Sequence, residues 1–259
     1  LLTAVQRGSL GMVKILIAAK ASLNVRNRDN MTPLMWAVTE SAAIADVLID
    51  GGAALDLRDS EGKTAMALAA KNGDASAIKK LIAAKASLEV KNNLEQTPLL
   101  RAAAVGAVSA VDVLIEGGAD LGARDQNGTT AVTLATLNCD AALLKHLVSC
   151  KASVHTKNHK VETPLALALR GRHGAVAVVL ANAFDEQGRP VLISAVLADD
   201  IDKMKVLISA KASFVSSEND KTPLVVAVEN GKTAAIEVLV SGGASVDACN
   251  SQGVTALMA

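Results

Sequence analysis

Aromatic side chains are almost missing from this chain: among 259 residues there is no Tyr, one Trp and two Phe. Apolar residues nonetheless make up 51%, so the core must be built from Ala, Val, Leu and Ile, which fill thin layers rather than a thick interior. Cysteine is scarce as well. Cys139, Cys150 and Cys249 are odd in number and form no CxxC pair, which argues against a disulfide framework and for a reducing compartment, the cytoplasm being the expected location. No sign of charge dominates, 26 basic residues facing 26 acidic ones. With no long-range field, no nucleic-acid partner is expected. No window reaches the ~18 uninterrupted apolar residues of a spanning helix, so no direct membrane insertion is expected either.

What the chain does have is internal repetition. Thr-Pro-Leu occurs at Thr32, Thr97, Thr163 and Thr222, and a Thr-Ala-apolar triplet at Thr64, Thr130 and Thr255, with successive spacings of 32, 33, 33, 33, 59 and 33 residues. In the long gap, Pro190-Val191-Leu192 fills the equivalent slot 27 residues after Thr163, so one repeat is short. One slot holds alanine throughout: Ala4, Ala37, Ala69, Ala102, Ala135, Ala168, Ala195 and Ala227. A methyl is what two closely stacked helices tolerate where they cross, so this slot is expected to be a packing contact.

After that alanine come a turn signal, such as Asn72-Gly73, and apolar residues at helical spacing, such as Ile78, Leu81 and Ile82. These mark the inward stripe of a second helix. It closes in Gly51-Gly52, Gly117-Gly118 or Gly242-Gly243, where a left-handed cap is expected. Polar stretches such as Asp59-Ser60-Glu61-Gly62 then carry turn chemistry. Each repeat reads as two short antiparallel helices plus a projecting hairpin-like loop, with Thr as N-cap and Pro at the first helical position.

In this register the chain resembles the ankyrin repeat family. The pattern D-x-x-G-x-T-P-L-x-x-A is met by Asp59 to Ala69 and G-x-x-x-x-V-x-x-L-L-x-x-G-A-D by Gly106 to Asp120, each almost letter for letter. The resemblance implies an all-α solenoid of helix-turn-helix units with projecting hairpin loops, one array over 1–259. Its repeats would be 27–58, 59–91, 92–124, 125–157, 158–184, 185–216 and 217–249, with partial ones at 1–26 and 250–259. Repeat 158–184 is about six residues short after Leu180, so its loop is expected to be reduced or absent, with Asn182 as its left-handed cap. Repeat 27–58 runs through Glu40-Ser41 where the interhelical glycine is usual. Lys20, Lys85, Lys151 and Lys211 take the cap slot in alternation with Gly52, Gly118 and Gly243, as duplication of a two-repeat block would leave them. The chain is expected to be part of a longer one, because ending here would expose Leu2, Val5, Leu257 and Met258.

Little of this suggests chemistry. His146, His155, His159 and His173 are distributed over a helix, a loop and a turn, so no metal site is expected. No nucleophile or phosphate motif is present, and neither enzymatic activity nor a cofactor is expected. Trp36 is expected in the core, and Arg101, in the equivalent slot, is expected to reach solvent or a carboxylate. The resemblance implies a non-catalytic protein-protein interaction scaffold that binds a partner through its concave face and loop tips, with Lys63, Lys71, Gln96, Gln126 and Asn127 among the contact positions. The residues themselves add a row of cations at the last position of five successive repeats, Arg26, Arg58, Lys91, Arg124 and Lys157. That row suits an extended acidic segment; the competing reading is local pairing of Arg58 and Arg124 with Asp59 and Asp125. The alternatives for the whole are a regulatory or positioning segment of a larger enzyme or channel, and a structural subunit of a large assembly.

Overall fold

Six threonines decide where first helices begin. Thr32, Thr64, Thr97, Thr130, Thr163 and Thr222 each accept a hydrogen bond from the backbone N–H three residues on, satisfying a donor that the helix start would otherwise orphan. Four of them are followed by proline at the first helical position, where its missing N–H costs nothing.

The computed structural model describes residues 1–185, 187–215, 221–249 and 255–258, and the chain forms two compact bodies, Leu1–Asn138 and Cys139–Ala259. In the first body the first helices are α1 (Leu2–Gln6), α3 (Pro33–Glu40), α5 (Ala65–Lys71), α7 (Pro98–Ala104) and α9 (Ala131–Leu137). Their partners are α2 (Leu10–Ala18), α4 (Ala42–Asp50), α6 (Ala75–Ala83) and α8 (Val108–Glu116). The second body holds α10 (Ala141–Ser149), then the pairs α11 (Pro164–Arg170) and α12 (Gly174–Ala181), α13 (Val191–Leu197) and α14 (Ile201–Ser209), and α15 (Pro223–Glu229) and α16 (Thr233–Ser241). Among the described residues there is no sheet; strand-like pairing is limited to two isolated antiparallel bridges, Phe184 with Pro190 and Cys249 with Thr255.

Within the first body, first helices stack on first helices from α1 to α9 and second helices on second helices from α2 to α8. The alanine slot is the crossing point. All eight of its residues are buried, six of them completely. Second helices present pairs such as Ile44 and Leu48, Ile78 and Leu81, or Met204 and Leu207, each fully buried. Val5, expected at an exposed end, is buried because α1 packs against α3. Trp36 is only half-buried, although its indole nitrogen is buried without a hydrogen-bond partner.

Lys20, Lys85, Lys151 and Lys211 stand in the left-handed conformation, at φ 59 to 67, where Gly52, Gly118 and Gly243 stand in the intervening repeats. Each strained lysine costs up to ~1 kcal/mol relative to glycine. The alternation extends to the other end of the same helices. Where a lysine closes the second helix, a side chain caps its start: Ser9, Asp74, Asp140 and Asp200. Where glycine closes it, no side-chain cap is made at Ser41, Ala107 or Lys232. A cap contributes ~1 kcal/mol, enough to offset the strain at the opposite end. His173 makes no cap either, which assigns the short repeat to the glycine type.

That short repeat corrects one expectation and refines another. Asn182 is not left-handed: it closes α12 at φ −103 and ψ 10. Its side chain does the work instead, donating to the carbonyls of Val178 and Lys211 and accepting from the N–H of Ser213. The last bond reproduces the bracket by which Asn24, Asp56 and Glu89 hold the backbone N–H of Ala54, Ser87 and Asp120 in the following repeat. The hairpin is reduced but not absent, because Asp185 still accepts the N–H groups of Gln187 and Arg189 as the other tips do, while the arm leading into it is cut. The α11–α12 pair nevertheless packs on α13 and α14 more sparsely than α13 and α14 pack on α15 and α16.

Candidate functional site

The projecting tips are built alike. Asn27, Asp59, Asn92, Asp125, Asn158 and Asp185 each use one side-chain oxygen to accept the N–H groups two and four residues on, at 2.8–3.0 Å. The fourth residue of each of these six tips is left-handed: Asn30, Gly62, Glu95, Gly128, Val161 and Gly188. In the first body successive tips are also tied together, Ser60 donating to the Asp29 carbonyl, Asn93 to Glu61 and Gln126 to Leu94. In the first body the tips therefore form a braced edge.

Cations lie beside these tips. Arg26, Arg58, Lys91, Arg124 and Lys157 are all exposed. Arg58 does not turn to Asp59; its Nε donates to the Gly62 carbonyl at 3.2 Å, and a Cβ at Gly62 would fall 2.6 Å from its Nη2. Lys91 pairs loosely with Glu95 at 3.6 Å. Of the other expected positions, Gln126, Asn127 and Lys71 are exposed, and Lys63 and Gln96 are half-buried.

A rule of position emerges around the tips. The residue before the capping Thr meets the residue eight further on, near the end of the first helix: Glu162 pairs with Arg170, and Lys221 with Glu229 at 2.7 Å. In the second body these slots neutralise themselves. In the first body the same slots hold Lys63 and Lys71, two like charges. Lys63 turns to Glu61 at 2.6 Å. The Lys63 ammonium, as donor and as charge, holds the Glu61 carboxyl below its ordinary range, and the charges of Lys71 and Arg101 add to the effect. Arg101 is half-buried and so partly reaches solvent, but it donates to the Gln96 carboxamide at 3.2 Å rather than to a carboxylate, and its buried Nε has no partner. One cation, Lys63, thus contacts the carboxylate, and the charges of Lys71 and Arg101 act on it without contact. Lys63 and Lys71 are among the expected contact positions; Arg101, 30 residues beyond Lys71, comes near them only through the stacking of α7 on α5.

Apolar side chains share this part of the first body. Leu94 at the third tip, Val105 just past α7 and Leu137 at the end of α9 are each about half exposed, at 47%, 53% and 49%. Arranged this way, the surface can hold carboxylates beside apolar groups, and it offers no cluster of three or more metal-binding side chains among the described residues. The histidines do not gather, but two of them meet thiols: His173 meets Cys139, and His146 meets Cys150. No helix among the described residues is long and apolar enough to cross a membrane.

The chain matches a known family model. A model described as ankyrin repeats in three copies covers residues 1–92, 66–158 and 192–259.

Proposed function

The chain belongs to the ankyrin repeat family, whose members are generally protein-protein interaction modules, and on that premise we propose that it is a non-catalytic scaffold whose first body binds an acidic segment of a protein partner in the cytoplasm. The ion pair of Lys63 with Glu61, beside the like-charged Lys71, carries the reading. Glu61 stands where a partner's carboxylate would sit, and the exposed Arg26, Lys91 and Arg124 extend the cationic character along the same run of repeats. Leu94, Val105 and Leu137 would take apolar side chains of the same segment. The matching slots of the second body are already neutralised by Glu162–Arg170 and Lys221–Glu229, which favours the first body as the docking part.

Exposed ion pairs are worth only ~0–1 kcal/mol each, so the cations act mainly on association rate and salt sensitivity. The test uses a partner captured with the full chain and verified by direct binding. Lys71→Glu, Lys91→Glu and Arg124→Glu together should weaken it at least about tenfold at low salt, with the difference shrinking as salt screens the charges. Glu61→Gln should strengthen it by removing the internal competitor. Unchanged binding by both variants would end the acidic-segment reading.

A further inference from the structure

The sulfur of Cys139 lies 2.7 Å from Nδ1 of His173, across 34 residues of sequence. Three local features bring the two together. Cys139 occupies the left-handed position of its interhelical turn at φ 57, the place that Gly73, Gly106 and Gly231 fill in other repeats. His173 precedes α12 without capping it, so its imidazole is not committed to the helix backbone. Gly171 supplies the seat: a Cβ there would fall 2.3 Å from Nε2 and 2.6 Å from Cδ2 of the ring, so any side chain would push the imidazole away. A nucleophile and a base from neighbouring repeats are therefore held in hydrogen-bond contact, and Cys139 is exposed to solvent. The other thiols differ. Cys150 is half-buried at the end of α10 with its sulfur 3.6 Å from His146 Nε2, and Cys249 is exposed beside an isolated bridge to Thr255.

We propose that Cys139 is a modification site, a thiol that exchanges with small carboxylate-bearing disulfides to form a mixed disulfide, with His173 as its base. The imidazole takes the thiol proton as the sulfur attacks one sulfur of the small disulfide. The bond between Cys139 and that sulfur forms while the original S–S bond breaks, and the departing thiolate leaves with the bonding pair and receives the proton from the imidazolium. Cys139 is oxidised and one sulfur of the small disulfide is reduced, so no further oxidant is needed. Openness of the turn lets a small reagent approach without a binding pocket. Arg172, next to His173 and exposed, supplies a cation for the reagent's carboxylates. A base within hydrogen-bond reach of the proton it removes is the geometry that general-base assistance requires.

The experiment follows the native chain with 5,5′-dithiobis(2-nitrobenzoate), a disulfide that bears carboxylates and releases a coloured thiolate. One thiol per chain should react at least about tenfold faster than the other two. Cys139→Ser should abolish that phase. His173→Asn and His173→Gln, each checked for native helix content by circular dichroism, should slow it by about tenfold. Mass spectrometry after treatment with glutathione disulfide should find the adduct on Cys139. The proposal is overturned if Cys139 reacts no faster than Cys249, or if both His173 variants keep the fold and the fast rate. Should both variants lose structure, the ranking of the three thiols in the unaltered chain decides.

Discussion

Ala102 sits in the middle of α7, fully buried, where α7 packs on both α5 and α9. Replacing it in two directions tests whether the alanine slot is a tight crossing. Ala102→Val adds two methyl groups. Given room, their burial would stabilise by roughly 0.8 kcal/mol each. Between two stacked helices the room is absent, and overpacking costs typically about 1–3 kcal/mol net, with about 0.5 kcal/mol more for a β-branched residue in a helix. Ala102→Gly loses one buried methyl, ~0.8 kcal/mol, and ~1 kcal/mol of helix propensity. Both variants should therefore fall about 2 kcal/mol below the parent, leaving alanine as the optimum. In urea, with a slope on the order of 2 kcal/mol/M, the midpoint should drop by about 1 M at unchanged slope. Ala43→Val, at an exposed position of α4, should shift stability by no more than about 0.5 kcal/mol. If Ala102→Val stays within that margin of the parent, the slot is not sterically closed and the packing argument fails for all eight repeats.

The short repeat should be the weakest seam: amide exchange across residues 170–190 is expected to be faster than across 103–124, and equal protection would show that the Asn182 bracket alone restores the stacking. Asp185 gives a pH signature. Burial raises its pKa, but the Ser194 hydroxyl, the backbone and guanidinium N–H groups of Arg189 and the Gln187 N–H outweigh burial and bring it from 3.8 to about 2. A depressed carboxyl stabilises the fold above its unfolded value and loses that contribution as pH falls from about 4 through about 2, so Asp185→Asn should cost on the order of 1–2 kcal/mol near neutral pH and only a small fraction of that at pH 2. A cost independent of pH would mean that the charge is not its source. Asp74→Ala, which removes the cap of α6, should cost about 1 kcal/mol in urea unfolding, and Lys85→Gly, by relieving the strain at the other end of α6, should restore part of it in the double variant; a double variant no more stable than Asp74→Ala would contradict the proposed offset.

The sequence by itself determined the repeat, the helix starts and the crossing layer. Thr64 caps α5, Ala69 is buried and Lys85 is left-handed because each of these depends on backbone conformation within a few residues, or on a methyl that fits one way. Only the tertiary structure decided which polar groups meet. Arg58 chose the Gly62 carbonyl over Asp59, Arg101 chose Gln96, and Asn182 braced the next repeat with its side chain. The offset for such meetings was legible, since stacking sets a residue beside another about one repeat away, as with Cys139 and His173. The choice among neighbours was not, because surface partners differ by ~1 kcal/mol or less and the outcome turns on side-chain reach and on seats such as Gly171 that exist only once two repeats are packed together.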